Sequence, residues 1–115
     1  MTEEEWQPEA GDLIWTDFDP RMGREQGGRR PALIVSPCAF WQATRFAIVC
    51  PITTRVRPFP SSAVLPPGLP ISGEILTSHV RSIDTIARPV LFSGARIPSA
   101  ILAEVRGKLA ALIGL

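Results

Sequence analysis

PALIVSPCAFWQATRFAIVCPI, residues 31–52, reads as two short apolar strands around a polar turn. PALIVSP (31–37) is bounded by prolines, which lack the donor a strand ladder needs. FAIVCPI (46–52) is a second apolar run rich in strand formers. CAFWQATR (38–45) turns the chain between them. The two runs therefore fold back as an antiparallel hairpin centred near Trp41. Pairing Pro37 with Arg45 sets Arg30 opposite Ile52, one step from Thr53. A slip of one residue would send every side chain to the other face. The register thus decides what Arg30 meets.

Working outward, GDLIWTDFDP (11–20) starts with Gly and ends with Asp-Pro. Leu13, Ile14, Trp15 and Phe18 place apolar side chains on both faces, as in a strand covered on both sides. RMGREQGGRR (21–30) is a loop, and so is the proline-broken, basic stretch TTRVRPFPSS (53–62). AVLP (63–66) and EILT (74–77) are short strands flanking the loop PGLPISG, and HVRSI (79–83) is another. After Pro98 the period changes. Ile101, Leu102, Val105, Leu109, Leu112 and Ile113 recur at helical spacing, which predicts a helix over about 99–113. Ser99 fits its N-cap, and Gly107 weakens it slightly. The sum is a mainly β chain with a C-terminal helix, folded as a small, strongly bent barrel or sandwich. Residues 1–10 read as a frayed acidic lead, and 11–115 as one domain.

With 115 residues the chain suits one core. No apolar run reaches membrane-spanning length. The start, Thr2-Glu3-Glu4-Glu5-Trp6, lacks an apolar signal core, which predicts a cytoplasmic protein. One histidine and no CxxC argue against zinc, so Cys38 and Cys50 read as free thiols. Charge is segregated. Seven acids and no base fall in residues 1–20, while residues 21–57 hold seven arginines against Glu25 alone. All bases but Lys108 are arginine, whose planar fork suits phosphate and stacks on bases. The block fits either a local anion site or a solvated basic face.

Pro31 disfavours helical geometry at Arg30, so Arg30 leaves a rigid, extended strand start. Gly27 and Gly28 let the preceding loop turn. The hairpin brings Arg30, Thr53, Thr54, Arg55 and Arg57 to one end of the sheet, with Glu25 reaching in from the loop. A fixed guanidinium and a hydroxyl donor suit a phosphate in flight, whose charge sits on its non-bridging oxygens. Glu25 either orients an arginine or takes a proton. A plain strand-end ion pair of Arg30 with Glu25 or Asp19 is the bland alternative.

GDLIWTDFDP, then GREQGGRRPALIVSP (23–37), then VCPITT (49–54) and VRSID (80–84), resembles the MazF/PemK/Kid family of toxin endoribonucleases. The blocks stand in order at family spacing, and the resemblance covers the chain from Gly11. It implies an SH3-like barrel and a homodimer with single-stranded RNA in a groove. It implies cleavage without a metal or other cofactor, by attack of the ribose 2′-hydroxyl, leaving a 2′,3′-cyclic phosphate and a 5′-hydroxyl. It implies an acidic MazE-like antitoxin as partner and arrest of translation as outcome. The family's catalytic arginine falls on Arg30, its threonine on Thr53 and its glutamate on Glu25. Arg24, Gln26, Arg29, Thr54, Arg55, Arg57, His79 and Arg81 are the candidates for holding RNA. Phe59 either stacks on a base or caps the core. Trp15 and Phe18 read as core, and Trp41 as an exposed turn residue that marks a partner surface.

The chain departs from the pattern in places. Arg29 and Arg24 stand where some members carry histidine, and Ser78-His79 where many carry Asp-Gln. His79 has two readings, an acid–base group replacing the lost acid or a structural residue. Two rivals share the barrel, a CcdB-type toxin that binds gyrase and a non-catalytic nucleic-acid or peptide module. The intact EQGG-x-RP loop and ITT favour the nuclease.

Overall fold

A computed structural model describes residues 5–18 and 29–115. Among these residues the chain forms β1 (Asp12–Thr16), β2 (Arg30–Ile34), α1 (Cys38–Thr44), β3 (Phe46–Thr53), β4 (Ala63–Val64), β5 (Glu74–Ile75), β6 (Arg81–Asp84), β7 (Val90–Arg96) and α2 (Ser99–Leu112). Every pairing is antiparallel. The order is β4-β5-β3-β2-β1-β7, with β6 also on β3. β3 is the hinge of the design. Its first half pairs β6, its last two residues pair β5, and its middle pairs β2. One strand serving two sheet segments must bend, and the bend gives the small barrel-like sheet with a C-terminal helix. Among the described residues the sheet stays open between its edges.

Strand alternation sends apolar residues to two cores. Leu13, Leu33 and Cys50 sit side by side across three strands and pack with Ile52, Ile75, Ile97 and Val105. Ile14, Ala32, Ile34 and Val49 face the other way, with Ala47 and Ile83. This explains why 11–20 reads as apolar on both sides. α2 closes the first core. Val105 is fully buried there, which stabilises by about 1.5–3 kcal/mol. Ile101, Leu102 and Leu109 pack beside it. Leu109 is the last helical residue on that core. Leu112 and Ile113, predicted on the same stripe, are exposed, Ile113 by 70%.

Several expectations need correction. Residues 38–44 form a helix, not a plain turn, and Arg45 ends it in the left-handed region at φ 66°. Ser99 opens α2, but Pro98 holds the cap position and no side chain caps the end. The strand expected from His79 starts at Arg81, because 77–79 make a short 3₁₀ turn. β7 was not anticipated. Its pairing with β1 shifts between Asp12 and Ile14, and Gly94 sits in β7 at φ 88°. Such a bulge breaks the period that would betray the strand.

The lead does not fray over residues 5–10. Trp6 stacks on Phe92 with centroids 5.1 Å apart, and its Nε1 donates to Asp12 Oδ2 at 2.9 Å. Glu9 Oε1 accepts the Cys38 N–H at 2.7 Å. Residues 1–4 lie outside the described residues. The Gly-Asp pair is structural. Gly11 takes φ 100°, and buried Asp12 binds Arg96, Trp6 and the Glu9 N–H. Trp41 is half-buried, with Nε1 donating to Thr85 Oγ1 and Arg45 over its ring.

Both cysteines are free thiols. Burial pushes the Cys50 thiol up to about 12, whereas Cys38 is half-buried. A thiol reagent at neutral pH is expected to label Cys38 alone until the protein unfolds. Fast labelling of both would contradict the placement of Cys50. Among the described residues, no helix is long and apolar enough to cross a membrane.

Candidate active site

The register of the β2–β3 hairpin builds the site. Ala32 lies opposite Pro51, Leu33 opposite Cys50 and Ile34 opposite Val49. Continued to the end of both strands, this sets Arg30 opposite Thr53. The expected partner was Ile52, so the true register is one residue away. The reason lies at the other end. Val35 N–H still bonds Ile48 O, but the Ser36 hydroxyl then takes the Ile48 N–H, and α1 begins at Cys38. Pro37 and Arg45 never pair. Residues directly opposite share a face, so Arg30 and Thr53 share one.

They meet in a cleft of about 430 Å³. Arg30, Thr53, Thr54 and Arg81 line it, with Asp17 and Phe18 on the β1 side. Arg81 reaches it from β6, its guanidinium 5.2 Å from the Phe18 ring centroid. Phe18 is therefore both half-buried core, as expected, and cleft wall. Asp17 Oδ1 is buried and takes no hydrogen bond among the described residues.

Thr53 is oriented for donation. Its Oγ1 accepts the Arg55 backbone N–H at 3.1 Å. A hydroxyl that accepts through a lone pair keeps its own proton to give. Beside it Arg30 and Arg81 line the same cleft. The arrangement can hold an anion and donate to several of its oxygens at once.

A second cleft of about 240 Å³ adjoins the first and shares Thr53 and Leu76 with it. Arg55, Arg57, Phe59 and His79 line it together with Glu74. The predicted residues thus divide. Arg30, Thr53, Thr54 and Arg81 gather in the larger cleft, and Arg55, Arg57 and His79 in the smaller. Arg29 is exposed and lines neither. Glu25, Arg24 and Gln26 lie outside the described residues. Phe59 caps no core; the residue is 57% exposed at the smaller cleft. Asp17 and Glu74 were not anticipated. A signal for Glu74 was present, since it is the only carboxylate between Glu25 and Asp84.

Residues 9–113 match the model of a family described as PemK-like, MazF-like toxin of type II toxin–antitoxin system. The chain belongs to the PemK/MazF toxin family. It is 38% identical over 107 residues to the endoribonuclease toxin MazF of Escherichia coli K12, covering 93% of this chain and 95% of that one. A crystal structure of MazF from Deinococcus radiodurans superposes with a TM-score of 0.85 at 44% identity, covering 96% of this chain and all of that one. MazF in a MazE–MazF crystal structure from the same organism gives 0.84 at 40% identity, over 96% and 99% of the two chains. In this PemK/MazF chain the open sheet and terminal helix are thus the family fold.

Proposed function

We propose that this family member is an endoribonuclease that cuts single-stranded RNA at short sequence motifs without a metal. The observation that carries the reading is that Arg30, Thr53 and Arg81 line one cleft. The endoribonuclease name of the Escherichia coli relative supports it. The ribose 2′-hydroxyl loses its proton and O2′ attacks the adjacent phosphorus. The P–O5′ bond breaks and O5′ takes a proton. The products are a 2′,3′-cyclic phosphate and a 5′-hydroxyl. Arg30 and the Thr53 hydroxyl donate to the non-bridging oxygens as charge gathers there. Glu25 takes the proton or braces Arg30. Arg24, Gln26, Arg29, Thr54, Arg55, Arg57, His79 and Arg81 hold the strand around the cut, through phosphate contacts and base stacking.

The chain acts in the cytoplasm as the toxin of a toxin–antitoxin pair, arresting translation by cutting mRNA. It works as a homodimer and is held silent by an acidic MazE-like antitoxin. The solved MazE–MazF complex of Deinococcus radiodurans supports that partner, and the arginine-lined clefts suit an acidic segment. The test is direct. Purified protein, shown by mass spectrometry to carry no antitoxin, is incubated with a long RNA in EDTA. Discrete cuts ending in cyclic phosphate are expected. RNA left intact at micromolar protein would overturn the reading.

A further inference from the structure

Glu74 is 1% exposed and sits opposite Thr53 in the β3–β5 pair. Its carboxylate makes no ion pair among the described residues. It accepts hydrogen bonds instead. Oε1 takes the Arg57 backbone N–H at 2.7 Å, and Oε2 takes the Phe59 N–H at 3.2 Å and the Ser62 hydroxyl. The Ser62 hydroxyl and then the Arg57 N–H hold its pKa below the usual carboxylate value.

The sequence of the held segment explains the pattern. Residues 57–60 read Arg-Pro-Phe-Pro. The two prolines have no N–H, so the segment owns two backbone donors, and both reach Glu74, the Phe59 N–H shared with the Ser62 hydroxyl oxygen at 3.2 Å. Two further bonds pin the end of the segment. The Thr77 hydroxyl donates to Ser61 O, and Lys108 Nζ donates to Ser62 O at 2.6 Å. What this fixes is a wall. Arg57 and the exposed Phe59 stand over the smaller cleft, which begins at Thr53.

We infer that Glu74 is a positioning residue for RNA: it holds Arg57 and Phe59 as a phosphate-and-base wall for the nucleotide flanking the scissile linkage. The inference rests on the RNA-cleavage reading and adds to it a residue that touches no RNA itself. An arginine and an exposed aromatic residue lining one cleft can take a backbone phosphate and the face of any base. Without the buried acceptor, the Arg57 N–H loses its partner and the Phe59 N–H keeps only the Ser62 hydroxyl oxygen.

Glu74→Gln keeps the shape but brings an NH₂ group to a place where N–H donors arrive, so part of the wall is released. The probe is a fluorescent, mixed-sequence single-stranded oligonucleotide with 2′-O-methyl riboses, which lack the attacking hydroxyl. Its affinity, read by anisotropy, is expected to fall about tenfold, the scale of one lost stacking contact. The rate on long RNA at saturating Glu74→Gln protein should stay close to the parent's. Adding Phe59→Ala to Glu74→Gln should weaken binding no further. Parental affinity in a folded Glu74→Gln protein overturns the inference. So does an equal collapse of affinity and saturated rate, which marks general loosening. Should Glu74→Gln fail to fold, Ser62→Ala takes the hydroxyl away from Glu74 and Phe59 and leaves both N–H bonds to the carboxylate; a few-fold loss of affinity supports the inference and none overturns it. Because the probe is not cut, binding is scored whether or not the parent cleaves RNA. An uncut long RNA with parental protein fails the nuclease reading alone.

Discussion

Arg30→Ala is expected to slow RNA cleavage by about 10²–10³-fold, the effect of removing one preorganised donor to a developing charge. Thr53→Ala should lose a similar factor. Both proteins should melt where the parent melts. Arg30 is exposed and Thr53 half-buried, so neither truncation opens the core. Arg30→Lys keeps the charge but loses the planar fork, and should recover only part of the rate. Thr53→Ser keeps the hydroxyl that the Arg55 N–H orients, and should recover more. Single-turnover rates with thermal melts on the same samples decide this. Parental cleavage by Arg30→Ala would place the chemistry elsewhere.

Gly73→Ala is expected to damage both stability and cleavage. Gly73 has φ 131°, where a side chain is strained by about 1–3 kcal/mol. A Cβ there would drive into the carbonyl oxygen of Thr53. That neighbour is backbone and cannot swing aside. Gly73 also accepts the Leu65 N–H at 2.8 Å, so the strand edge has no slack. Relief must come from moving Thr53 itself. Gly68→Ala is the control. Gly68 has φ 96° but nothing within 4 Å of the added carbon, so it carries the backbone cost alone. Gly73→Ala should therefore melt lower than Gly68→Ala and cut RNA more slowly even where it is folded. Equal melting points and equal rates would contradict the close approach.

Much of this was legible beforehand. The apolar runs within 11–20, 31–37 and 46–52 mark the three central strands because both faces of the sheet are buried. The convergence of Arg30 with Thr53 follows from folding one hairpin. The exact partner did not, because a helix of seven residues replaces the expected turn and shifts the register by one. β7 was hidden by its bulge. The role of residues 5–10 was hidden because acidic residues look solvated, whereas Glu9 caps the start of α1 and Trp6 covers Phe92. Glu74 was missed for a related reason. It stands in a short strand, EILT, where a carboxylate reads as the polar face. Only the fold reveals that its acceptors meet the two N–H groups of a proline-broken loop seventeen and fifteen residues away.

In the proposed reaction Arg30 and Thr53 act on one phosphate. A double-mutant cycle tests it most directly, using single-turnover cleavage of one RNA by the parent, Arg30→Ala, Thr53→Ala and the double variant in EDTA. Groups that act as a unit are strongly non-additive. The double variant is expected to cleave about as slowly as the slower single variant. Losses that multiply in full would contradict it, since they would mean that the two residues serve separate steps or separate sites.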